Sequence, residues 1–158
     1  MKTLSLLFSM LLPAFIFAQV GIGTTTPLST LDINGNLSIK VVSLTGNSAG
    51  NQTNAGSTIG IDDGVYISVN PQVQDDTFEL PDPTAVPGRI YIIRNVNPTN
   101  TVTAKIVTDS AAEFFSSGST TNGSTEIFLY ENAGANEYLK SVIVISDGSN
   151  WTYFFGLL

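Results

Sequence analysis

The sequence predicts an all-β protein, and composition and turn spacing lead to that prediction. Charged residues make up only 12% of the 158 residues, about half the usual share. Gly, Ser, Thr and Asn are abundant in their place, and this mixture suits strands joined by tight turns better than helices. Turn-type sequences recur about every 8–12 residues, a spacing typical of a sandwich or barrel.

The absence of two residue types narrows the classes of function. The chain contains no Cys and no His. Without Cys it has no disulfide framework and no thiolate metal site, and without His it lacks the commonest general base. Its net charge is −7 with only six basic residues, whereas a nucleic-acid surface needs clustered Lys and Arg. We therefore expect a protein that is not an enzyme, holds no cofactor or metal and binds no nucleic acid.

The first 18 residues have the layout of a secretory signal peptide. Lys2 supplies the positive start, Leu4 to Phe17 form an apolar run, and Ala18 closes it with a small residue. The run is shorter than the roughly 20 residues of a membrane span, although a signal anchor remains the alternative. No later segment is apolar enough to cross a membrane. We expect an exported protein at the cell surface or outside the cell, with the periplasm as the alternative location.

Composition divides the rest of the chain into three parts. Residues 19–45 form an N-terminal attachment segment, in which Asn34-Gly35 between LDI and NLSI predicts a type I′ hairpin. Residues 46–58, GNSAGNQTNAGST, are a polar, Gly-rich linker. Residues 59–158 form a C-terminal β-domain.

The C-terminal β-domain holds most of the strand candidates. Ile59 and Ile61 are expected to pair with residues 65–69 across an Asp-Asp-Gly turn, and the Ser-rich stretch 114–125 is expected to be a loop. Three prolines predict an irregular approach to the strand that follows them. These prolines are Pro81, Pro83 and Pro87, and the further strand candidates are residues 89–96, 101–107, 126–131, 140–147 and 151–158, the last two joined by a hairpin turn at 147–150.

Several strand candidates, with the sequences IYII, VIVI and IFLY, are apolar on both faces. A lone sheet in a small domain needs only one apolar face. The sequence therefore predicts short antiparallel strands in a sandwich or β-prism that is completed by oligomerisation. A second copy of the chain is the expected partner, because homo-oligomers dominate soluble assemblies.

Two aromatic residues are candidates for a binding or interface site. Trp151 and Tyr153 have the same parity on one strand, so they point to one face. Aromatic faces stack on sugars in carbohydrate-binding modules, which makes a ligand platform one interpretation. Packing in a core or an interface is the other.

The acidic loops allow two interpretations. Carboxylates in an exported protein can bind calcium, but the spacing here matches no calcium-binding loop. Asp-Gly and Pro-Asp-Pro are also ordinary turn sequences, so turns are favoured and no metal site is predicted. The residues concerned are Asp62, Asp63, Asp75, Asp76 and Asp82.

Three segments resemble known proteins. The opening QVGIGTTTPLSTLDINGNLSI (19–39) resembles a motif of secreted Bacteroidetes proteins and of phage tail-fibre-like proteins. The block FELPDPTAVPGRIYIIRNVNPTNTVTAKI (78–106) and the ending SVIVISDGSNWTYF (141–154) resemble the C-terminal β-domain of the same group. The resemblance implies a non-enzymatic structural or adhesive surface protein that assembles as a homotrimer. A monomeric carbohydrate-binding β-sandwich is the alternative.

One short segment resembles a modification site. Asp109-Ser110-Ala111 is similar to the site at which Bacteroidetes attach O-linked glycans to exported proteins. The resemblance implies glycosylation of Ser110, and an ordinary loop tripeptide is the alternative.

Overall fold

The computed structural model describes residues 20–22, 25, 31–46, 58–98, 102–119, 121–130 and 140–155. The expected signal peptide and most of the expected linker lie outside these residues. The chain divides into two compact units, Met1–Ser38 and Ile39–Leu158. Among the described residues, no helix has the length and apolar character needed to span a membrane.

In the part of the first unit that the structure describes, two short strands run in parallel, β1 (Val20–Ile22) and β2 (Leu31–Ile33). The hairpin predicted at Asn34-Gly35 is wrong, because residues 36–40 form no strand. The Asn34 N–H donates instead to the Ile22 carbonyl oxygen over 2.9 Å. The chain therefore stays beside β1 after β2 ends and does not fold back on itself.

The second unit is built from two sheets. The large sheet has the strand order β3-β5-β7-β11-β12-β9, and the small sheet has the order β10-β8-β6-β4. In the large sheet the strands are β3 (Val41–Thr45), β5 (Tyr66–Asn70), β7 (Ile90–Asn95), β9 (Phe114–Ser116), β11 (Ser141–Ser146) and β12 (Trp151–Phe155). In the small sheet they are β4 (Ile59–Gly60), β6 (Asp76–Leu80), β8 (Ala104–Thr108) and β10 (Glu126–Leu129).

From β3 to β11 the chain alternates between the two sheets. The strands β3, β5 and β7 of the large sheet are therefore separated by excursions through the small sheet, and so are β4, β6 and β8 of the small sheet by excursions through the large one. β3, β5 and β7 pair in parallel, as do β4, β6 and β8. Antiparallel pairs join β7 to β11, β11 to β12 and β8 to β10. The all-β prediction is confirmed, but the expectation of antiparallel strands throughout is wrong.

The two sheets share one hydrophobic core. Along β5, β6 and β11, buried and half-buried residues alternate, because successive side chains of a strand point to opposite faces. The buried side chains from both sheets belong to a single cluster. Its largest fully buried members are Trp151, Tyr91, Phe78, Phe114, Ile61, Ile67, Leu80, Ile93, Ile106 and Leu129.

Two of the predicted turns are confirmed. The proline-rich stretch forms one turn of 3₁₀ helix, Pro83–Ala85, and the Asp82 side chain accepts a hydrogen bond from the Thr84 N–H over 2.9 Å. The hairpin turn between β11 and β12 is closed by Asp147, whose carboxylate accepts the N–H groups of Ser149 and Asn150.

Two other local predictions are wrong. Ile59 and residues 65–69 do not pair, because β4 lies in the small sheet and β5 in the large one. Residues 114–125 are not simply a loop, because Phe114–Ser116 form a strand beside β12 and Phe114 is fully buried. In both cases the partner of the strand is distant in the sequence, so local turn residues do not reveal it.

Candidate self-association surface

The face of the large sheet that is turned away from the core, here called the outer face, carries a continuous row of apolar side chains. Strand register places one residue from each of five neighbouring strands side by side. This outer row consists of Val41, Tyr66, Ile92, Ile143 and Phe154. Its two ends are open to solvent, since Val41 is 62% and Phe154 40% exposed, and its three central members are half-buried.

A second row lies beside the first. Ile90 on β7 is opposite Ile145 on β11, which is opposite Thr152 on β12, which is opposite Phe115 on β9. Ile90 is 43% exposed. The two rows together make the centre of the outer face apolar, as the two-sided strand sequences IYII and VIVI predicted.

The outward face of the small sheet has a different character. Its strands present Glu79, Lys105 and Glu126 among apolar neighbours, and the last two approach within 3.9 Å as an ion pair. Charged side chains of this kind are expected where a sheet faces water. The two apolar rows of the large sheet carry no charge, and the charged residue of β7 on this face, the exposed Arg94, lies beside them between Ser68 and Ser141.

An apolar sheet face of this type is suited to packing against another protein surface. Contiguous exposed apolar patches on soluble proteins mark interaction sites. The outer rows offer mainly apolar side chains for packing, so the surface is suited to binding.

Trp151 and Tyr153 have two interpretations, a ligand platform or packing in a core or interface, and the burial of Trp151 favours packing. The two side chains share a face, but it is the inner face of β12. Trp151 is 0% exposed, and its indole N–H donates to the Thr108 hydroxyl on β8 over 3.2 Å. Tyr153 is half-buried and meets Phe155 edge-on at 5.2 Å between ring centroids. Trp151 is therefore a core residue that joins the two sheets, and it is not available to stack on a ligand.

Three of the five acidic candidates, Asp63, Asp76 and Asp82, accept backbone N–H groups within turns. Asp76 is 8% exposed and accepts the N–H of Gln72 over 2.7 Å, and Asp63 accepts the N–H of Gly64 over 2.7 Å. Asp63 also forms an exposed ion pair with Lys40, whose hydrogen bond holds the pKa of the Asp63 carboxyl below its ordinary value. Among the described residues, no three potential metal ligands come together.

Ser110 lies in an exposed bend after β8. Its hydroxyl oxygen accepts the N–H of Ala112 over 3.1 Å. The hydroxyl is thus at the surface, where a modifying enzyme would need it to be.

One titratable group is buried in the core below the outer face. Tyr91 on β7 is fully buried and its hydroxyl forms no hydrogen bond with the described residues. Burial raises the pKa of the Tyr91 phenol because it withdraws the phenolate from water, and the nearby positive charge of Arg89 opposes this shift. The Arg89 guanidinium lies 5.9 Å from the centre of the ring. The phenol faces the core, so it is no part of the outer face.

Sequence reasoning missed some members of the outer face. Val41 was not assigned to a strand, although the alternation in VVSLT at 41–45 is a usable signal. Tyr66 and Phe154 were assigned to strands, but only the register shows that they stand in one row with Ile92 and Ile143.

Comparison with known proteins gives no further guide to this surface. No protein-family model, no curated protein and no solved structure matches the chain.

Proposed function

We propose that this chain is an exported, non-enzymatic structural or adhesive protein of the cell surface, and that its copies associate through the outer face of the large sheet into a tail-fibre-like trimer. The observation that carries the proposal is the outer row, in which five neighbouring strands each contribute an apolar residue. Burial of such a row stabilises an assembly by about 25 cal/mol for each Å² of apolar surface removed from water.

Second copies of the chain are the partners that fit best. The protein is acidic, with a net charge of −7, so acidic surfaces of two copies repel each other. The two rows contain no acidic side chain, so packing them together brings none of the excess negative charge into the contact, and the basic Arg94 lies beside the rows on the same face. The number of copies, three around one axis, comes from the resemblance to tail-fibre-like proteins.

The alternative, a monomeric carbohydrate-binding module, has lost its main support. Its candidate stacking residue, Trp151, has no exposed surface. Adhesion to a glycan or to another surface protein remains compatible with the proposed assembly through surfaces other than this one.

The test is the mass of the purified exported protein by light scattering after gel filtration. We expect three chains, or a multiple of three, and a lower mass in Ile143→Asp, because a carboxylate in the centre of the outer row would be buried in the interface. Phe128→Asp is the matched control, since it places the same charge on the outward face of the small sheet opposite Lys105. A single-chain mass in the unsubstituted protein would overturn the proposal, as would an unchanged mass in Ile143→Asp.

A further inference from the structure

The large sheet ends, within the described residues, at β3. Its neighbour β5 pairs with it in parallel from Val41 opposite Tyr66 to Thr45 opposite Asn70. The other side of β3 carries the backbone groups with which a further strand could pair.

The hydrogen bonds at the two ends of β3 identify these groups. The Tyr66 N–H donates to the Lys40 carbonyl oxygen over 3.1 Å, and the Gly46 N–H donates to the Asn70 carbonyl oxygen over 2.9 Å. The backbone N–H and C=O of one strand residue point to the same side, and the side alternates along the strand. Even-numbered residues therefore face β5, and Val41, Ser43 and Thr45 direct their N–H and C=O groups to the open side.

This edge lacks the usual protection. Natural edge strands are commonly blocked by charged residues, proline, bulges or very short length. β3 has the sequence VVSLT over five residues, with no charge and no proline. All three outward-directed residues are exposed, and the pattern of exposure alternates along the strand.

The other sheet edges are less open. At the opposite end of the large sheet, the Phe114 N–H and C=O on β9 are both bonded to Ser124. In the small sheet, β4 has only two residues and the edge strand β10 begins with the charged Glu126. Among the described strands, β3 therefore combines the greatest length with the least protection.

We propose that β3 pairs edge to edge, in antiparallel orientation, with β3 of a second copy of this chain, so that two large sheets become one continuous sheet. A two-fold axis at Ser43 would place Val41 opposite Thr45 and Val42 opposite Leu44. The strand suits its own copy because no like charges face each other across such a pair. Lys40, the charged residue that flanks it, falls opposite the neutral Gly46.

This contact is distinct from the outer face but rests on the proposed self-association for its role. The outer face holds the chains of one trimer together, and the β3 edge then joins one trimer to the next. Such a second contact is what a surface fibre or layer requires. A five-residue strand pair is a small interface, so we expect it to form at high protein concentration and to dissociate on dilution.

Hydrogen exchange read residue by residue tests the pairing directly on the exported protein. In dilute protein we expect slow exchange at Val42 and Leu44, whose amides bond to β5, and fast exchange at Val41, Ser43 and Thr45. In concentrated protein the second set should become protected by at least tenfold. Equal exchange of Val41, Ser43 and Thr45 at both concentrations would refute the pairing.

Ser43→Pro tests the edge without removing a hydrogen bond of the sheet, because the Ser43 N–H is directed away from β5. Proline is tolerated at such positions of edge strands. We expect it to abolish the concentration-dependent rise in mass, whereas Ser43→Thr, which keeps the amide, should retain it. An equal rise in mass in Ser43→Pro and the unsubstituted protein would count against the inference.

A second pair of variants covers the case in which proline disturbs the strand. Ser43→Lys places two lysines opposite each other at the two-fold axis, whereas Val107→Lys adds the same charge on the outward face of the small sheet, opposite Glu79 and Glu126. The edge contact predicts that Ser43→Lys loses the rise in mass and that Val107→Lys keeps it, with protected Val41 and Thr45 amides. The reverse result would contradict it.

The Ile143→Asp background separates this inference from the proposed function. If both hold, concentrated Ile143→Asp is a two-chain species, and Ile143→Asp combined with Ser43→Pro is a single chain. If the unsubstituted protein forms the two-chain species and no trimer at any concentration, the edge is supported and the face is overturned. A single-chain species in concentrated Ile143→Asp would overturn the edge and leave the face intact.

Discussion

The side-chain amide of Asn95, on β7 of the large sheet, donates a hydrogen bond to the carbonyl oxygen of Leu129, on β10 of the small sheet, over 3.0 Å. The same amide donates to the Val102 carbonyl oxygen over 3.0 Å, and its oxygen accepts the Asn97 N–H over 3.0 Å. Asn95 is 0% exposed. The buried Asn95 side chain therefore links both sheets, and hydrogen bonds also join it to the connection between β7 and β8.

Asn95→Ala is expected to lower the free energy of unfolding by about 3 kcal/mol, because three buried groups lose their partner at roughly 1 kcal/mol each. Urea denaturation followed by tryptophan fluorescence measures the change. Asn122→Ala is the control, since residue 122 is exposed in the connection between β9 and β10, and we expect it to change stability by less than about 0.5 kcal/mol. Similar values for the two variants would show that the buried bonds contribute little.

Trp151→Ala is expected to act on stability, because the side chain fills the core between the sheets. Truncation of a buried Trp costs about 3–5 kcal/mol through lost burial and the cavity left behind. Thermal unfolding monitored by circular dichroism measures it, with Phe128→Ala on the outward face of the small sheet as the milder control. A Trp151→Ala protein with unchanged stability would mean that the side chain is not packed as described.

Tyr91→Phe is expected to make the protein more resistant to alkali. The folded-state pKa of Tyr91 lies above that of the unfolded chain, so between the two values the unfolded chain has lost more protons, and stability falls as pH rises from about 10. Phenylalanine keeps the ring and removes both the ionisation and a hydroxyl without a partner among the described residues. The unfolding free energies of the two proteins are compared at neutral pH and in steps above pH about 10.

The difference in unfolding free energy between Tyr91→Phe and the unsubstituted protein should change with pH in one direction. Tyr91→Phe should match or slightly exceed the unsubstituted protein at neutral pH, and its advantage should grow with pH. An advantage that stays constant up to complete alkaline unfolding would show that the Tyr91 phenol ionises equally in both states. A loss of stability at neutral pH would show that the hydroxyl is bonded.

Gly64→Ala is expected to be more destabilising than Gly88→Ala, although both glycines have positive φ, 85° and 76°. The backbone cost of a left-handed conformation, about 1–2 kcal/mol, applies to both. A Cβ at Gly64 would also lie 2.7 Å from Val42 Cγ2, whereas a Cβ at Gly88 meets nothing within 4 Å. Chemical denaturation should show an excess loss of at least about 1 kcal/mol in Gly64→Ala. Equal losses would mean that the Val42 side chain moves aside at no cost.

The strand content and several turns follow from short sequence patterns. Alternation in VYISV predicts β5, the short apolar run VIVI predicts β11, and Asp147-Gly148 predicts the hairpin between β11 and β12, because each signal is local. The prolines around Pro83 likewise mark an irregular segment, since proline cannot donate to a strand ladder.

Pairing could not be predicted in the same way. The partner of β3 is β5, and that of β6 is β8, each reached only after a strand of the other sheet. The residues between paired strands carry turn signals that look like hairpins, which led to the wrong pairing of Ile59 with residues 65–69. Parallel pairing leaves no short turn between partners, so nothing in the local sequence specifies it.

The sequence by itself determined that this is a β-rich protein with several strands apolar on both faces. Composition and period-two alternation suffice for that, because they depend on each residue and its nearest neighbours. Only the tertiary structure decided which apolar residues are in the core and which remain outside. Trp151 and Phe154 lie on one strand, and the register of β12 against β11 alone turns the first inward and the second outward to complete the outer row.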